Sequence, residues 1–297
     1  MGIQSKQEKR FRLFAHIVMI LLCVSALIPF WLLISSSFSL ESDVTKYGYS
    51  FWPKTFSLEA YQYIFAQWVQ IGRAYGITII VTVIGTSLSI LLVAMLSYGL
   101  IQDHVPGLKM IFVLILLTML FSGGIVPTYY VYSNFLHVKD TIFGLILPNL
   151  LLNGFTVVLV KNYFQFNIPK ELLEAAEVDG ASHPRILFQF VMPLAMPILA
   201  TVGLLSGVTY WNDWTNGLYY ISDEKLFSIQ QLLNKMNENI AFLASNAASV
   251  GNVSVANMPS ATIRMAIAVI AILPILVIYP FFQKYFAKGI TMGAVKG

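Results

Sequence analysis

Long apolar stretches constrain this chain more than any other feature of its sequence. Six of them occur, at residues 13–38, 74–100, 108–130, 140–160, 187–212 and 262–286. A helix rises about 1.5 Å per residue, so each stretch can cross a hydrocarbon core of about 30 Å. Because lipid offers no hydrogen-bond partners to the backbone, runs of this length predict helices. We therefore predict an all-α integral membrane protein with six transmembrane helices in a single domain, residues 1–297.

The composition excludes several other classes of protein. The chain is 57% apolar and 11% charged, with a mean hydropathy of +0.73, whereas soluble domains carry about 25% charged residues. The net charge of +4 comes from basic residues beside the apolar stretches, which indicates membrane topology and no nucleic-acid partner. A single cysteine and four scattered histidines predict neither a disulfide nor a metal site.

The first apolar stretch follows a cluster of basic residues, so a cleaved signal peptide is an alternative to a retained span. Its apolar part, Leu13 to Phe38, exceeds the 7 to 15 residues or so of a signal core. No clear small-x-small cleavage site closes it. We interpret it as a retained membrane span.

The placement of lysine and arginine predicts the orientation. With the N-terminus inside, eleven of the 18 basic residues lie on the inner side: Lys6, Lys9, Arg10, Arg12, Lys109, Lys161, Lys170, Arg185, Lys284, Lys288 and Lys296. The other seven are spread over longer outer loops. By the positive-inside rule, both termini and the loop 161–186 are expected in the cytoplasm.

That inner loop, between spans four and five, has the pattern of two short helices joined by a tight turn. We call this segment, residues 171–185, the corner. Leu172, Leu173 and Val178 give a short amphipathic helix with small residues in its middle. Gly180 permits a sharp turn, Ser182 can cap, and a proline follows in the first turn of the next helix. Such an exposed corner suits close packing against another protein.

The same segment resembles the EAA loop of ABC importer permeases. That pattern reads Glu-Ala-Ala, three residues, Gly, nine residues and then Ile-x-Leu-Pro, and here Phe190 and Met192 replace the Ile and Leu. In the family this loop is the coupling helix that sits in a cleft of the ATPase. The resemblance implies the type I ABC importer permease fold, with these residues in ATPase coupling: Glu174, Ala175, Ala176, Asp179, Gly180 and Pro193.

Three further segments narrow the resemblance to carbohydrate importers. The C-terminal residues 285–297, the stretch 121–129 and Trp211-Asn-Asp-Trp214 are similar to maltose-type permeases, closest to Gram-positive permeases for complex oligosaccharides. In that group the C-terminal tail reaches the ATPase pair. The implied cargo is a sugar or oligosaccharide.

No G-x-x-x-x-G-K-[ST] phosphate loop occurs in the chain, so ATP and Mg²⁺ are expected on a partner ATPase. We predict no catalytic residue and no cofactor on this chain. The implied partners are a second homologous permease subunit, forming a heterodimer, an ATPase dimer and an extracellular substrate-binding (lipo)protein. The expected location is the cell membrane.

Polar groups inside a bilayer are costly, so they indicate a lined path. Asn149 and Asn153 are one turn apart on span four and are expected on the same face. Glycines at 123 and 124 weaken span three where irregular backbone can line a cavity. The predicted path residues are Gly123, Gly124, Asn149, Asn153, Trp211, Asn212 and Trp214.

Each of these has a structural alternative. Tryptophans at span ends also anchor at the interface, intramembrane asparagines also join helices, and paired glycines also permit close helix approach. In the outer loops, Ser57 to Trp68 and Ser228 to Asn239 are expected to be helical, and Ala244 to Pro259 flexible.

Three other functions are alternatives to an importer permease. An intramembrane serine protease needs a histidine deep in a span, and none is present. An ion-coupled transporter usually carries charged residues in mid-span, and the predicted span interiors lack them. A receptor or scaffold leaves the corner unexplained. A non-sugar solute remains the alternative cargo.

Overall fold

The computed structural model describes residues 6–102, 105–250 and 260–294. Over these residues the chain is helical without β-strands, apart from one isolated antiparallel bridge between Ser39 and Phe56. The predicted all-α fold is confirmed.

The helices follow one another in this order: α1 Lys6–Ser37, α2 Glu41–Tyr47, α3 Glu59–Ala66, α4 Trp68–Leu100, α5 Leu108–Leu120, α6 Ile125–Tyr130, α7 Phe143–Ile146, α8 Gly154–Asn167, α9 Lys170–Val178, α10 His183–Ile186, α11 Met192–Leu194, α12 Met196–Asn212, α13 Thr215–Tyr220, α14 Ile229–Val250 and α15 Ser260–Ala294. A π-helical turn, Val131–Phe135, extends α6, and another, Leu187–Val191, joins α10 to α11. A 3-10 turn, Glu224–Leu226, precedes α14.

The contacts divide the chain into two compact units. The first comprises residues 1–68 and 235–273. In it, an extended segment folds back along the end of α1, where the Trp31 indole donates to the Phe51 carbonyl at 2.9 Å. The start of α15 is held by Glu41, whose carboxylate accepts the N–H groups of Ala261 and Thr262 at 2.9 and 2.8 Å. A carboxylate at a helix N-terminus satisfies donors that have no partner within the helix.

The second unit comprises residues 69–234 and 274–297, and its apolar core positions the candidate site. The core residues come from α4, α5, α8 and the segment 176–202: Val93, Ala94, Tyr98, Ile115, Val157, Val160, Phe164, Ile168, Ala176, Ile186, Leu187, Val191, Ala195, Ile198, Leu199 and Val202. Close approach of α4 to α12 requires a glycine, because a Cβ on Gly85 would lie 2.5 Å from the Tyr210 ring. The core therefore joins α4 and α8 to the chain that follows α9.

Spans three and four are both interrupted. The break between α5 and α6 covers residues 121–124, and Gly124 adopts φ +79° there, as the paired glycines predicted. The break between α7 and α8 covers residues 147–153, with Asn149 at φ +60°. The prediction that Asn149 and Asn153 share one helical face is wrong, because the left-handed residue and Pro148 end α7 before a second turn can form.

Span five is bent. The helix pair His183–Leu194 and Met196–Asn212 meets at 84°, with Pro193 and Pro197 on either side of Ala195. Each proline lacks the N–H that would continue the helical ladder. Among the described residues, two helices are long and apolar enough to cross a membrane, and three if this pair is one span. The six predicted span boundaries and the single domain stay predictions.

The loops that the sequence predicts on the outer side contain more helix than expected. The predicted segments from Ser57 and Ser228 are helical, as α3 and α14. The flexible loop predicted from Ala244 is wrong as far as Val250, which ends α14, because the alanines of this segment favour helix propagation. Residues 251–259 lie outside the described residues.

Candidate functional site

The predicted corner after α9 is closed by its own backbone. The Ala181 N–H donates to the Ala176 carbonyl at 2.9 Å, and the Gly180 N–H donates to the Glu177 carbonyl at 3.0 Å. Gly180 lies at φ +78°. These two bonds and the left-handed residue make a Schellman motif. The motif explains the spacing between Ala176 and Gly180. The residue whose carbonyl accepts the longer-range bond of the motif must stand four positions before the left-handed glycine.

One side of the corner is fixed to the core and the other is exposed. Ala176 is buried within the core, and Ala181 packs against it. Glu174, Ala175 and Asp179 are exposed. Val178 is exposed over 87% of its surface, an unusual position for a branched apolar side chain. The exposed face is therefore small and partly apolar, with carboxylates beside it, and suits a protein partner.

The second arm of the corner begins as predicted, with one exception. Pro184 lies in the first turn of α10. The Ser182 side chain makes no capping bond, and its carbonyl instead accepts the Ile186 N–H at 2.9 Å. Pro193 is exposed and lies beside the bend at Ala195, so it shapes the arm and is not part of the corner.

A cavity of about 320 Å³ lies between the end of α4, α8 and the corner. Its charged lining carries both signs, from Lys161, Lys170, Glu174 and Glu177. This charged groove borders the exposed face of α9, so a partner on that face meets charge as well as small apolar side chains.

Two residues outside the predicted site contact the corner. The Tyr98 hydroxyl of α4 lies 3.2 Å from Nδ1 of His183, and the same Nδ1 lies 3.8 Å from the Glu177 carboxylate. Sequence reasoning gave His183 no role. Because Tyr98 and His183 are 85 positions apart, no local pattern connects them.

The break in span four is held by side chains from distant parts of the chain. The Tyr210 hydroxyl donates to the Ile146 carbonyl at 2.9 Å, and the Asn216 amide donates to the Pro148 carbonyl at 2.9 Å. The Tyr132 hydroxyl approaches the Leu147 carbonyl at 3.5 Å. A helix that ends inside a membrane leaves carbonyls without hydrogen-bond donors. Here these three side chains are the donors. Sequence reasoning missed all three.

The predicted path residues differ in their surroundings. Asn153 caps α8, where its side chain accepts the N–H groups of Phe155 and Thr156 at 2.9 and 3.3 Å. Asn149 is exposed. No atom lies within 4 Å of a Cβ built on Gly123 or Gly124, so these glycines do not serve close packing within the described part of this chain.

The three predicted path residues at the end of span five also differ in their exposure. Trp211 is 6% exposed, its ring lies 6.2 Å from that of Tyr75, and it lines a cavity of about 340 Å³ between α4, α12 and α15. Trp214 and Asn212 are exposed. Of the seven predicted path residues only Trp211 lines this cavity, so the cavity does not gather them into one site.

Comparison with known proteins decides the family. The family of binding-protein-dependent transport system inner membrane components matches this sequence over residues 72–292. This range includes the corner and both breaks. The chain belongs to this family. It is 38% identical to Protein LplC of Bacillus subtilis, over 91% of this chain and 90% of that protein. It is 39% identical to the polygalacturonan/rhamnogalacturonan transport system permease protein YtcP of the same organism, over 93% and 94%.

A solved structure is also similar to the chain. It is a bacterial ABC transporter involved in the import of the acidic polysaccharide alginate, with 27% identity and a TM-score of 0.80, covering 96% of this chain and 100% of that one. The predicted membership in the ABC importer permeases is confirmed. The chain is a membrane-bound transport permease subunit and not an enzyme. Membership implies a partner ATPase and a substrate-binding protein.

Proposed function

We propose that the chain forms half of the transmembrane path for a sugar or oligosaccharide in an ATP-driven importer. A second, homologous permease subunit forms the other half. ATP and Mg²⁺ bind on a separate ATPase dimer, and an extracellular binding (lipo)protein delivers the cargo. The names of the relatives support this cargo: YtcP is named for polygalacturonan and rhamnogalacturonan, and MelC of Bacillus subtilis, 28% identical, for melibiose, raffinose and stachyose.

The observation that carries the coupling role is the exposed corner that is fixed to the core from one side. In this proposal the ATPase contacts Glu174, Ala175 and Asp179 on the exposed face. Ala176 attaches that face to the core, and Gly180 sets the direction in which the chain leaves it. Pro193 ends the arm that leads to the bend. The corner and both termini are cytoplasmic, which places the docking face where ATP is available.

Such a corner suits transport by alternating access. ATP binding closes the ATPase dimer, and the two docked corners move together. Because Ala176 shares a core with α4, α8 and α12, a displacement of the corner acts on all three helices. The path then opens outward, a loaded binding protein releases its cargo, and hydrolysis returns the permease pair to the inward-facing state.

Substitution of Gly180 tests the docking role. A Cβ at this position meets no atom within 4 Å, and Gly180→Val strains the left-handed backbone by about 1–2 kcal/mol. We expect ATP-driven uptake to fall while insertion into the membrane is normal. Gly76→Val is the matched control, because Gly76 is helical and also has no neighbour within 4 Å. Normal uptake by Gly180→Val refutes the docking role.

The cargo is tested separately. The complex purified with its neighbouring subunits is placed in proteoliposomes, and uptake is measured for oligosaccharides, peptides and amino acids. Oligosaccharide uptake alone supports the proposal. Uptake of another class with normal ATPase coupling refutes the sugar cargo and leaves the docking role intact.

A further inference from the structure

The inner end of α4 makes a polar contact with the corner that no core packing requires. Tyr98 is 6% exposed, with its ring in the core and its hydroxyl 3.2 Å from His183 Nδ1, and the same hydroxyl is hydrogen-bonded to the Gln102 side chain. The two rings lie 6.2 Å apart, tilted by 59°. His183 is the first residue of α10. The contact therefore connects α4 to the arm that leaves the corner.

The other arm of the corner contacts the same imidazole. Glu177 on α9 places its carboxylate 3.8 Å from His183 Nδ1, and its carbonyl accepts the Gly180 N–H of the turn. His183 thus stands between α9, α10 and α4. Exposed charge pairs contribute little stability by themselves, so the value of this arrangement lies in the geometry it fixes.

We propose that Tyr98 and His183 are positioning residues for ATPase coupling. Together with Glu177 they form a strap that holds the corner at a fixed angle to α4. This inference rests on the proposed docking function. Ala176 contributes a single methyl to the core, and a methyl contact constrains distance but not direction, whereas a hydrogen bond constrains both. With the strap in place, a movement of the corner reaches α4 directly as well as through α12.

The test uses the complete importer in proteoliposomes and measures substrate transported per ATP hydrolysed. Loss of one hydrogen bond changes an equilibrium by about 3- to 10-fold. We expect Tyr98→Phe and His183→Ala each to lower the transport-to-hydrolysis ratio by about that factor. The amount of copurified ATPase and the KM for ATP should not change, because the docking face itself is intact.

Two further variants separate positioning from general stability. His183→Asn should restore most of the ratio, since an amide can place a polar atom where Nδ1 stood. Tyr163→Phe removes a hydroxyl from a residue that packs on the same core but lies on α8 and makes no side-chain hydrogen bond among the described residues, and it should have no effect. The double variant Tyr98→Phe/His183→Ala should be no worse than either single variant.

The outcomes distinguish the two proposals. If no ATPase copurifies with the wild-type protein, both the docking function and the strap are refuted. If the ATPase is present and both single variants keep the wild-type ratio, the strap alone is overturned. A lower ratio that Asn does not restore, or that the Tyr163→Phe control shares, also overturns it, because a loss of core stability then accounts for the effect.

Discussion

Among the turns that use a left-handed residue, those at Gly180 and Asn149 are held in different ways. At Gly180 the turn is closed by backbone bonds within six residues, from Ala176 to Ala181. At Asn149 the turn depends on Tyr210 and Asn216, which lie 64 and 68 positions along the chain from the carbonyls of Ile146 and Pro148 that they bond. The first turn is exposed and local. The second interrupts a predicted membrane span and is assembled from distant parts of the fold.

The difference separates two kinds of sensitivity to mutation. A turn closed by its own backbone is altered only by changes at its own residues, chiefly at the left-handed position. A turn held by distant side chains fails when any of them is removed, because a carbonyl is then left without a partner in a site that water does not reach. We therefore expect substitutions at distant residues to lower the stability of the span-four break, whereas at the corner only substitutions of the turn's own residues should do so.

The largest effect is expected at Tyr210. Tyr210→Ala removes a ring that is 3% exposed and also the donor to Ile146, which should lower the free energy of unfolding by about 3–5 kcal/mol. Tyr210→Phe removes the donor alone and should cost about 1–3 kcal/mol. Unfolding by denaturant in mixed micelles measures both. Tyr219→Phe, at an exposed position, is the control and should be neutral.

The next effect is expected at Asn216. Asn216→Ala leaves the Pro148 carbonyl without its donor and should cost about 1–3 kcal/mol. Asn212→Ala removes an exposed amide that bonds only within its own helix and to Gln230 among the described contacts, so its cost should stay within about 0.5 kcal/mol. Equal losses of melting temperature in the two variants contradict the role given to Asn216.

Exchange of the left-handed residues sharpens the comparison. Glycine and asparagine both tolerate this conformation, whereas alanine at either position should cost about 1–2 kcal/mol. Asn149→Gly should therefore leave the melting temperature unchanged. If Asn149 also contacts cargo, the same variant lowers uptake at unchanged stability. A melting temperature that falls in Asn149→Gly shows that the asparagine side chain itself holds the break.

A further effect concerns pH. Burial raises the pKa of Asp213 to about 6 from an ordinary value of 3.8, against the lowering effect of the Asn216 and Thr215 N–H groups. Because the folded state keeps a proton that the unfolded state has lost, stability declines as pH rises from about 4 to about 6 and stays lower above that. Asp213 caps the helix that carries Asn216, so this dependence acts on the break and not on the corner.

The Asp213→Asn variant checks the sign. It keeps the acceptor for the two N–H groups and removes the charge, so its advantage in melting temperature over wild type should grow between about pH 4 and pH 6. A constant difference across this range shows that another group carries the pH dependence.

The corner could be predicted from sequence because its determinants are local. Gly180 and Pro184 act within one turn of themselves, and the small Ala176 is the residue that packs into the core. The break at Asn149 could not be predicted from sequence, because the hydropathy of residues 140–160 indicates one uninterrupted apolar run. Its partners Tyr210 and Asn216 follow no periodicity that points back to Pro148. Trp211, which the sequence predicts on the cargo path, is buried beside Tyr75, and its role on the path stays a prediction.

The bend at Ala195 gives the proposed docking corner a mechanical property that a straight span would lack. Its two arms, His183–Leu194 and Met196–Asn212, stand at 84° to each other, so they form a right-angle lever. A push along the first arm has almost no component along the second and appears there as a sideways displacement. Sideways travel of a helix widens or narrows a gap, whereas axial travel only slides it past its neighbours. A permease built with this lever converts a thrust at one end into a change of aperture at the other.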